Sequence, residues 1–440
     1  MKTITLFSDL YYNSGVSTRT LGRADSRWAH HSGSNEIIGP AISNSRYAMS
    51  PGTESDTFRY ILNSIGLDCD YTNDRTKQDI VRMIDIGSNP DWLGLARDAR
   101  EYFRYKPFIL YSSQEPCVDT HNICNQVPGC FIMDMAYGTP EHERHIPYPS
   151  FFTRLTNNFM NEIVNYHTIN LKHTKEKDFT FNNLKFRQDG HKALTQFFLT
   201  ECDDLMDKGI ITYSRSKGHL SPHVTPEKAM DLIRVHWDTA VKKNKHVIEP
   251  YVGAARFNKD NFLSLEKYNH FLYYSNDVTL NNFALNYEGD QYFNHRRRYH
   301  PIWVYNRSFF SMITESTGSD KTVCISEKSI YPIMTGHPFI INQCNQGLIY
   351  KSLSELGFEL FDELFTYPDN LTCHSDALIN CAENIYNFDA ANYDKNINTI
   401  VKKSAHNRSN LLNTRSTLWT TLRKLMLENL EKYYQACSEG

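Results

Sequence analysis

Short apolar runs of strand length alternate along this chain with stretches in which apolar residues recur at helical spacing. One such run, 106–111, is followed by Ser112 and Ser113. Buried strands of parallel sheets are commonly followed by polar residues in this way, at their carboxyl ends. The other predicted strands are 2–10, 184–186, 210–213, 309–314, 322–325 and 338–341. The predicted helices are 54–65, 76–86, 190–205, 226–240 and 327–334. This order of elements predicts an α/β fold with parallel strands.

A chain of 440 residues is longer than one compact core usually supports, so two domains are predicted, with room for a further helical segment. Segment 118–149 is predicted to be irregular because Pro, Gly, His and Cys interrupt its periodicity, and a connector is predicted at 172–178. Residues 395–434 are charged and helical in period. We expect this tail to pack back across the domains.

The composition excludes several classes of protein. Hydrophobic residues make up 40% of the chain, which is enough for it to fold without stabilising metals or disulfides. The formal charge of −3 creates no overall electrostatic attraction to nucleic acid or to an anionic membrane. The ten cysteines are scattered singly, which indicates reduced thiols. The first apolar stretch is too short for a signal peptide, and no run of about 18 apolar residues occurs. We therefore expect a cytoplasmic protein with no membrane partner.

Ser326-Glu327-Lys328 follows a predicted strand and opens a predicted helix. A carboxylate there can accept hydrogen bonds from ribose hydroxyls, while the ammonium and the helix N-terminus face a pyrophosphate. In the simpler interpretation, Glu327 complements the helix dipole and Lys328 is solvated, and this one is favoured for an isolated Ser-Glu-Lys. The tripeptide alone leaves both interpretations open.

A longer pattern surrounds this tripeptide. It consists of Thr314-Glu315, Ser326-Glu327-Lys328, Pro332, His337-Pro338-Phe339-Ile340 and Gly357-Phe358. The pattern resembles a family of glycosyltransferase-like proteins of phages and large viruses. It also resembles, more distantly, the Glu-Lys donor site of α1,3-fucosyltransferases and exostosin-like enzymes. With a weaker match at 109–115, the resemblance covers about 107–362, roughly half to three fifths of the chain.

The same family has an earlier block, in which a strand with Arg leads into an R-x-H-R-like turn and a helix. Segment 186–192 resembles it through Arg187 and His191, whereas Gly190 and Lys192 depart from the family pattern. The resemblance implies that Arg187 and His191 belong to the donor site. It also implies that this block begins the nucleotide-binding domain.

The resemblance implies the GT-B fold, in which two Rossmann-like domains face each other across a cleft. The N-terminal acceptor domain is expected at 1–175, the nucleotide-sugar-binding domain at 176–385, and a helical tail packing back at 386–440. The implied reaction moves a sugar from a nucleotide-sugar donor to a hydroxyl group. That fold needs no bound metal, and the nucleotide sugar is a substrate rather than a cofactor.

The resemblance also implies roles for the residues of its blocks. Glu327 is expected on the ribose, Lys328 and Arg187 on phosphate, and Glu315 near the sugar. An inverting transferase further needs a base that deprotonates the acceptor hydroxyl. Glu115, at the end of a predicted strand of the first domain, is the candidate base, although a loop or capping carboxylate is the commoner role for such a residue.

Two further candidates concern the acceptor side. Asp9, at the end of the first predicted strand, is a weaker alternative base. Arg296, Arg297 and Arg298 form a basic cluster with aromatic neighbours, which is typical of single-strand or phosphate binders. A solvated basic turn is the simpler interpretation, because no matching basic stripe exists elsewhere. If the acceptor is DNA, such as a hydroxymethylated base in phage DNA, we expect it at this cluster.

Three groups of residues have the side chains of a metal site, but a structural role is favoured for each. The groups are Asp203-Asp204, Asp68 with Asp70, and Cys117 with His121, Cys124 and Cys130. The last group lacks a Cys-x-x-Cys knuckle, so we predict no metal.

An alternative from another class is a non-catalytic binding or virion-associated protein that retains the glycosyltransferase fold. It is suggested by Gly190, Lys192 and Ser329, which depart from the family pattern. Donor binding without turnover would favour it.

Overall fold

The structure is a computed structural model of the chain. It describes residues 4–7, 61–72, 77, 79–85, 92–112, 117, 119–153, 169–172, 175–183, 195, 199, 203–213, 302–315, 321–343, 345–368, 371 and 374–439. The helix predicted at 226–240 and the strand predicted at 184–186 lie outside these residues.

The described residues form strands and helices that alternate along much of the chain. The strands are β1 (Ile4–Phe7), β2 (Cys69–Thr72), β3 (Ile80–Val81), β4 (Met83–Asp85), β5 (Phe108–Tyr111), β6 (Cys130–Asp134), β7 (Ala136–Gly138), β8 (His145–Pro147), β9 (Lys177–Asn183), β10 (Gly209–Tyr213), β11 (Ser308–Thr314), β12 (Thr322–Cys324) and β13 (Phe339–Asn342). The helices are α1 (Trp92–Tyr102), α2 (Thr120–Gln126), α3 (Asp203–Lys208), α4 (Ile302–Arg307), α5 (Glu327–Thr335), α6 (Gln346–Glu355), α7 (His374–Tyr386), α8 (Ala390–Leu412) and α9 (Thr417–Glu439).

The first half of the chain forms parallel sheets in the orders β2-β1-β3 and β4-β5-β6-β8. Only Arg82 separates β3 from β4, and β3 pairs with β1 while β4 pairs with β5. The two sheets therefore continue each other through 80–85. This parallel arrangement confirms the predicted α/β class and is compatible with a Rossmann-like fold.

Successive residues of these strands point into two different hydrophobic clusters, as the twofold periodicity of a strand requires. Phe108 and Leu110 of β5 pack with residues of α1 and α2. Ile109 and Tyr111 belong instead to a larger cluster that extends into the second half of the chain and into α8 and α9. Both faces of the sheet are thus covered, which is usual for parallel strands.

The second half of the chain contributes a further sheet, with the order β10-β9-β11-β13, and all its strands are parallel. β9 and β10 pair in parallel and are connected through helical residues, so they form a βαβ unit. The strand predicted to begin this unit, 184–186, lies outside the described residues. The observed first strand of the unit begins at Lys177, inside the segment predicted as a connector. Phe179 and Phe181 explain this difference, because both are fully buried within a segment whose Lys and Asn residues mask the pattern.

A two-stranded antiparallel ribbon links the halves, since β7 pairs with β12. Gly138 makes this pairing possible. Its φ of +124° is unfavourable for other residues, and a Cβ on it would lie 2.5 Å from the carbonyl oxygen of Lys321. The ribbon therefore depends on glycine at this position.

The C-terminal segment forms two helices, α8 and α9, rather than one, and the break is at 413–416. Trp419 of α9 donates its indole N–H to the carbonyl of Leu411 at 2.9 Å. Farther along α9, the Tyr433 hydroxyl lies 2.9 Å from the Pro107 carbonyl and accepts a hydrogen bond from the Arg82 N–H at 3.1 Å. α9 thus packs on the first parallel sheets. None of the described helices has the length and apolar character needed to cross a bilayer.

Two predictions of local structure are wrong. Segment 76–86 was predicted as a helix, but it contains β3 and β4, because Ile80, Val81, Met83 and Ile84 are buried on both faces of a parallel strand. Segment 118–149 was predicted as irregular, yet it contains α2, β6, β7 and β8. Each of its strands is five residues or shorter, which is too short for periodicity to be visible.

Candidate functional site

Helix α5 begins at the carboxyl edge of the β10-β9-β11-β13 sheet. β11 and β13 end side by side there, with Thr314 paired to Asn342. Ser326 is the N-cap of α5, and its Oγ accepts a hydrogen bond from the backbone N–H of Lys328 at 3.3 Å. Open α/β sheets bind ligands at this edge. The first turn of α5 therefore lies where chemistry is expected.

Glu315, the residue that follows β11, is fully buried at the start of α5. Its Oε1 accepts hydrogen bonds from the backbone N–H of Ser326 at 2.8 Å, and from the N–H and Oγ of Ser329 at 3.2 and 2.7 Å. Its Oε2 accepts one from the Oγ of Ser326 at 2.5 Å. The helix dipole and these hydrogen bonds both stabilise a carboxylate at this position. Glu315 therefore fixes the start of α5 on the end of β11.

In the first turn of α5, the chain itself thus supplies both the N-cap, Ser326, and a buried carboxyl group, that of Glu315. The N–H groups of Ser326 and Ser329 point to Glu315, and that of Lys328 points to the Ser326 hydroxyl. Side chains of the protein therefore already accept the hydrogen bonds of these three N–H groups. A phosphate at this edge would meet the side chain of Lys328 instead.

Glu327 and Lys328 extend from this fixed turn. Their side chains are 23% and 17% exposed, whereas their neighbours in α5 from Ser329 onward are buried. Lys328 Nζ lies 3.7 Å from Glu327 Oε1 and donates to Ser326 Oγ at 3.2 Å. The pair therefore presents solvent with an acceptor for hydroxyl groups beside a cation for a phosphate.

Glu315, Glu327 and Lys328 are the sequence-predicted site residues that the structure brings together. The other predicted residues lie outside the described part of the chain: Glu115, Arg187, His191, Arg296, Arg297 and Arg298, together with the alternative base Asp9. Thr195 belongs to the helix predicted to follow the Arg187 block and is described. Its Oγ1 accepts a hydrogen bond from Asn342 Nδ2 at 2.7 Å, which places Thr195 at the same edge of the sheet.

His337, the first residue of the His-Pro-Phe-Ile motif, connects the end of α5 to β11. Its Nε2 donates to the Ser308 carbonyl at 3.0 Å, because a carbonyl can only accept, and its Nδ1 therefore accepts from the Ser311 hydroxyl at 2.8 Å. Burial lowers the pKa of His337 to about 3. The imidazole is thus a neutral structural link, and both ends of α5 are fixed to the same strand.

A second buried polar centre follows β6 in the first half of the chain. Asp134 Oδ2 accepts hydrogen bonds from the N–H of Cys117 at 2.9 Å and from His145 Nε2 at 3.2 Å, and its Oδ1 accepts from the N–H of Ala136 at 3.0 Å. The N–H of Glu141 donates to His145 Nδ1 at 3.1 Å, so the ring proton is on Nε2. Asp134 therefore anchors the start of β7 and the segment just after Glu115.

The cysteines of this region are buried thiols. Burial raises the pKa of Cys117 to about 12 and that of Cys124 to about 11, and it also raises the pKa of Cys130. These shifts favour the protonated form of the thiols. Among the described residues, no three His, Cys, Asp or Glu side chains are grouped to hold a metal ion.

Sequence reasoning missed Ser326 and Ser329 as partners of Glu315. Ser326 is a favoured N-cap residue and could have been assigned that role, but Glu315 lies eleven residues earlier, across a strand. Asp134 was also missed, although it ends an apolar run just as Glu115 follows one. The same signal could have found it.

No protein-family model, no curated protein and no solved structure matches this chain.

Proposed function

We propose that this protein is a glycosyltransferase that binds a nucleotide-sugar donor at the first turn of α5. Glu327 accepts hydrogen bonds from the ribose hydroxyls, and Lys328 pairs with the pyrophosphate. The observation that carries the proposal is the buried carboxylate of Glu315, which fixes Ser326 and thereby the two charged residues after it at a sheet edge suited to ligands. The sequence pattern that resembles phage and large-virus glycosyltransferase-like proteins supports the same assignment.

In this proposal Glu315 positions the site rather than touching the sugar. Its two oxygens already accept four hydrogen bonds from Ser326 and Ser329, and the residue has no exposed surface. Contact with a sugar would require some of these bonds to break. A positioning role needs no such rearrangement.

The proposal includes a GT-B arrangement, with an acceptor domain at 1–175 and a donor domain at 176–385. The β7–β12 ribbon supports it. Cys324, two residues before Ser326, pairs with Ala136, two residues after the end of β6. The carboxyl end of a strand in the first half and the start of α5 are therefore joined by one short ribbon. Glu115, which follows the neighbouring strand β5, remains the proposed base.

A thermal-shift screen tests the donor site, because a ligand that binds only the folded state raises the unfolding midpoint. The ligands are UDP, GDP, ADP, CMP and their sugars. We expect one nucleotide to shift the midpoint of the parent protein, and Glu327→Ala and Lys328→Ala to abolish that shift. Lys424→Ala and Glu428→Ala are matched controls, since they remove an exposed Glu-Lys pair of α9. If no nucleotide shifts the midpoint, the proposal fails.

The acceptor is tested with the nucleotide sugar that binds. Transfer to hydroxymethylated DNA that is lost in the Arg296→Ala/Arg297→Ala/Arg298→Ala variant would assign a DNA acceptor. DNA binding by the parent protein should then strengthen at low salt. Transfer to a glycan or protein hydroxyl would assign the other acceptor class. Donor binding without turnover on any acceptor would instead identify a binding or virion-associated protein.

A further inference from the structure

An exposed aromatic side chain lies at the C-terminal end of α1, in the first half of the chain. Of the large hydrophobic side chains that the structure describes, only Tyr105 and Val401 are exposed, and Tyr105 is 65% exposed. The guanidinium carbon of Arg100, in the last turn of α1, lies 4.8 Å from the centre of the Tyr105 ring. This cation–π contact orients the ring at the surface. An oriented and exposed ring can stack on a planar group of a ligand.

The backbone that carries this ring has an unfavourable conformation. Arg104 and Tyr105 have φ values of +50° and +64°, in the left-handed region that glycine tolerates best. The turn closes α1, because the Tyr105 N–H donates to the Arg100 carbonyl at 2.9 Å. Glycine is the usual residue at such a helix end. Two large side chains here therefore cost stability, and backbone strain of this kind is concentrated at functional sites.

The charges around the ring favour an anion. Within the described part of the chain, neither Arg100 nor the exposed Arg104 forms an ion pair or a side-chain hydrogen bond. Arg97, on the same face of α1, is also exposed and donates only to the neutral Gln126 amide, at 2.7 Å. Segment 97–106 has four basic and two acidic residues, a net charge of +2. The negative end of the helix dipole amounts to about half a charge, so the arginines determine the sign of the local potential.

A single ligand can satisfy both features. It must have anionic groups for the arginines and a flat ring for Tyr105. A nucleic-acid strand has both, because each nucleotide carries a phosphate and a base. In a duplex the faces of the bases stack on one another, whereas in a single strand they are free to stack on a protein side chain. The two features together therefore favour a single strand.

We propose that the end of α1 binds single-stranded nucleic acid, with one base stacked on Tyr105 and the adjacent phosphates paired with Arg100 and Arg104. The buried residues of α1 are Leu95, Ala96 and Ala99, which anchor the helix on the other side. The site is separate from the proposed donor site and does not depend on it. Failure of the donor site would leave the outcomes below unchanged.

Fluorescence anisotropy with labelled oligothymidylate tests the proposal on the full chain. We expect saturable binding that weakens as the salt concentration rises. An abasic strand of the same length keeps the phosphates but lacks the bases, so it should bind at least about fivefold weaker, the lower end of what one stacked base contributes. A duplex of the same length and polyglutamate, an anion without rings, should also bind more weakly.

Two variants test the residues without disturbing the fold. Glycine suits the left-handed backbone, so Arg104→Gly and Tyr105→Gly should keep the circular dichroism of the parent protein and unfold at similar or higher temperature. Each should weaken binding of oligothymidylate at least about fivefold, whereas Tyr105→Trp, which keeps a ring, should retain it. Arg415→Ala is the matched control, since it removes an exposed arginine between α8 and α9.

The Arg296→Ala/Arg297→Ala/Arg298→Ala variant separates this site from the cluster proposed for a DNA acceptor. It should bind oligothymidylate like the parent protein, and loss of binding there would assign the strand to that cluster instead. The proposal is overturned by that result, by the absence of saturable binding, or by an abasic strand, duplex or polyglutamate that binds as tightly. Parent-like binding by a folded Arg104→Gly or Tyr105→Gly would overturn it as well.

Discussion

Glu315 is a buried carboxyl group whose hydrogen bonds come from the chain itself, from Ser326 and Ser329. Glu327, by contrast, is partly exposed beside Lys328. Two glutamates that follow strands in one short block of sequence therefore have different tasks. One sets the geometry of the turn, and the other is the residue that we propose binds the ribose.

Replacing Glu315 by Gln separates these tasks. The amide cannot accept at both of its positions, so charge-assisted hydrogen bonds from Ser326 and Ser329 are lost, and we expect the free energy of unfolding to fall by about 2 kcal/mol. Glu327→Gln should change it by less than about 1 kcal/mol, because partly exposed ion pairs contribute little, yet should abolish nucleotide binding. Urea unfolding and a nucleotide titration measure the two effects. If Glu315→Gln keeps its stability but loses the nucleotide, Glu315 contacts the donor directly.

His337 makes stability depend on pH. Its pKa is about 3 in the folded protein and about 6.5 when unfolded, so between these values only the unfolded chain binds the proton. Stability is therefore retained above pH 6.5 and lost as the pH falls, by about 1.4 kcal/mol per pH unit from this group. His337→Asn should show a smaller loss between pH 7.5 and 5.5 in urea unfolding.

The exposed His121 provides the control for this measurement. His121→Asn removes an exposed imidazole and leaves the buried hydrogen bonds of His337 intact. Equal pH dependence in the parent and in His337→Asn would contradict the assignment of His337 as a buried neutral group.

Single residues of the site were predictable where one segment determines them. Glu327 and Lys328 follow from Ser326 at a strand-to-helix junction, and the structure places all three as predicted. The role of Glu315 was not predictable, because its partners approach only when β11 and α5 pack together. The same holds for His337, whose partners lie on β11, 26 and 29 residues earlier.

At the scale of elements, the β7–β12 ribbon depends on the backbone of Gly138. Gly138→Ala would place a methyl group 2.5 Å from the Lys321 carbonyl oxygen, in a conformation that already disfavours alanine. We expect the free energy of unfolding to fall by about 1–3 kcal/mol, with faster hydrogen exchange at 322–326.

Gly129→Ala is the matched control for the ribbon. Gly129 also has a positive φ, +81°, but its Cβ would lie 3.6 Å from the nearest atom, Pro107 Cα, which is an ordinary contact. This variant should lose less stability and leave exchange at 322–326 unchanged. Equal effects of the two substitutions would mean that the ribbon is not held by close approach at Gly138.

The elements that the sequence predicted correctly are those whose apolar run is long or sharply bounded, such as β5, β11 and α5. Segment 76–86 was misassigned because Ile80, Val81, Met83 and Ile84 are buried on both faces, and such a run resembles a helix as much as a strand. α5 formed as predicted although Pro332 lies inside it and cannot donate to the Lys328 carbonyl.

At the scale of the whole molecule, Tyr433 ties the last helix to the first sheets. Tyr433→Phe removes the hydroxyl that bonds the Arg82 N–H and the carbonyls of Ile80 and Pro107. We expect a loss of about 1–3 kcal/mol in unfolding free energy, because buried polar groups lose a partner. Tyr434→Phe, outside this set of hydrogen bonds, is the control. Similar stability of the two variants would show that the contact does not hold α9 in place.

These long-range contacts were the least predictable part of the fold. The tail was recognised as helical from its period, but nothing local in it specifies Arg82 or Pro107, which lie more than 320 residues away. The ribbon likewise pairs residues from opposite halves of the chain. Such contacts are set by the packing of whole elements rather than by local pattern.

Hydrogen–deuterium exchange with and without each nucleotide sugar would locate the donor directly, because bound amides and the turn that carries them exchange more slowly. We expect the nucleotide sugar that stabilises the protein to protect 325–331, the segment of Ser326, Glu327 and Lys328, and to leave 417–424 of α9 unchanged. Protection that appears only elsewhere, or protection of 325–331 that persists in Glu327→Ala, would contradict a donor site at the start of α5.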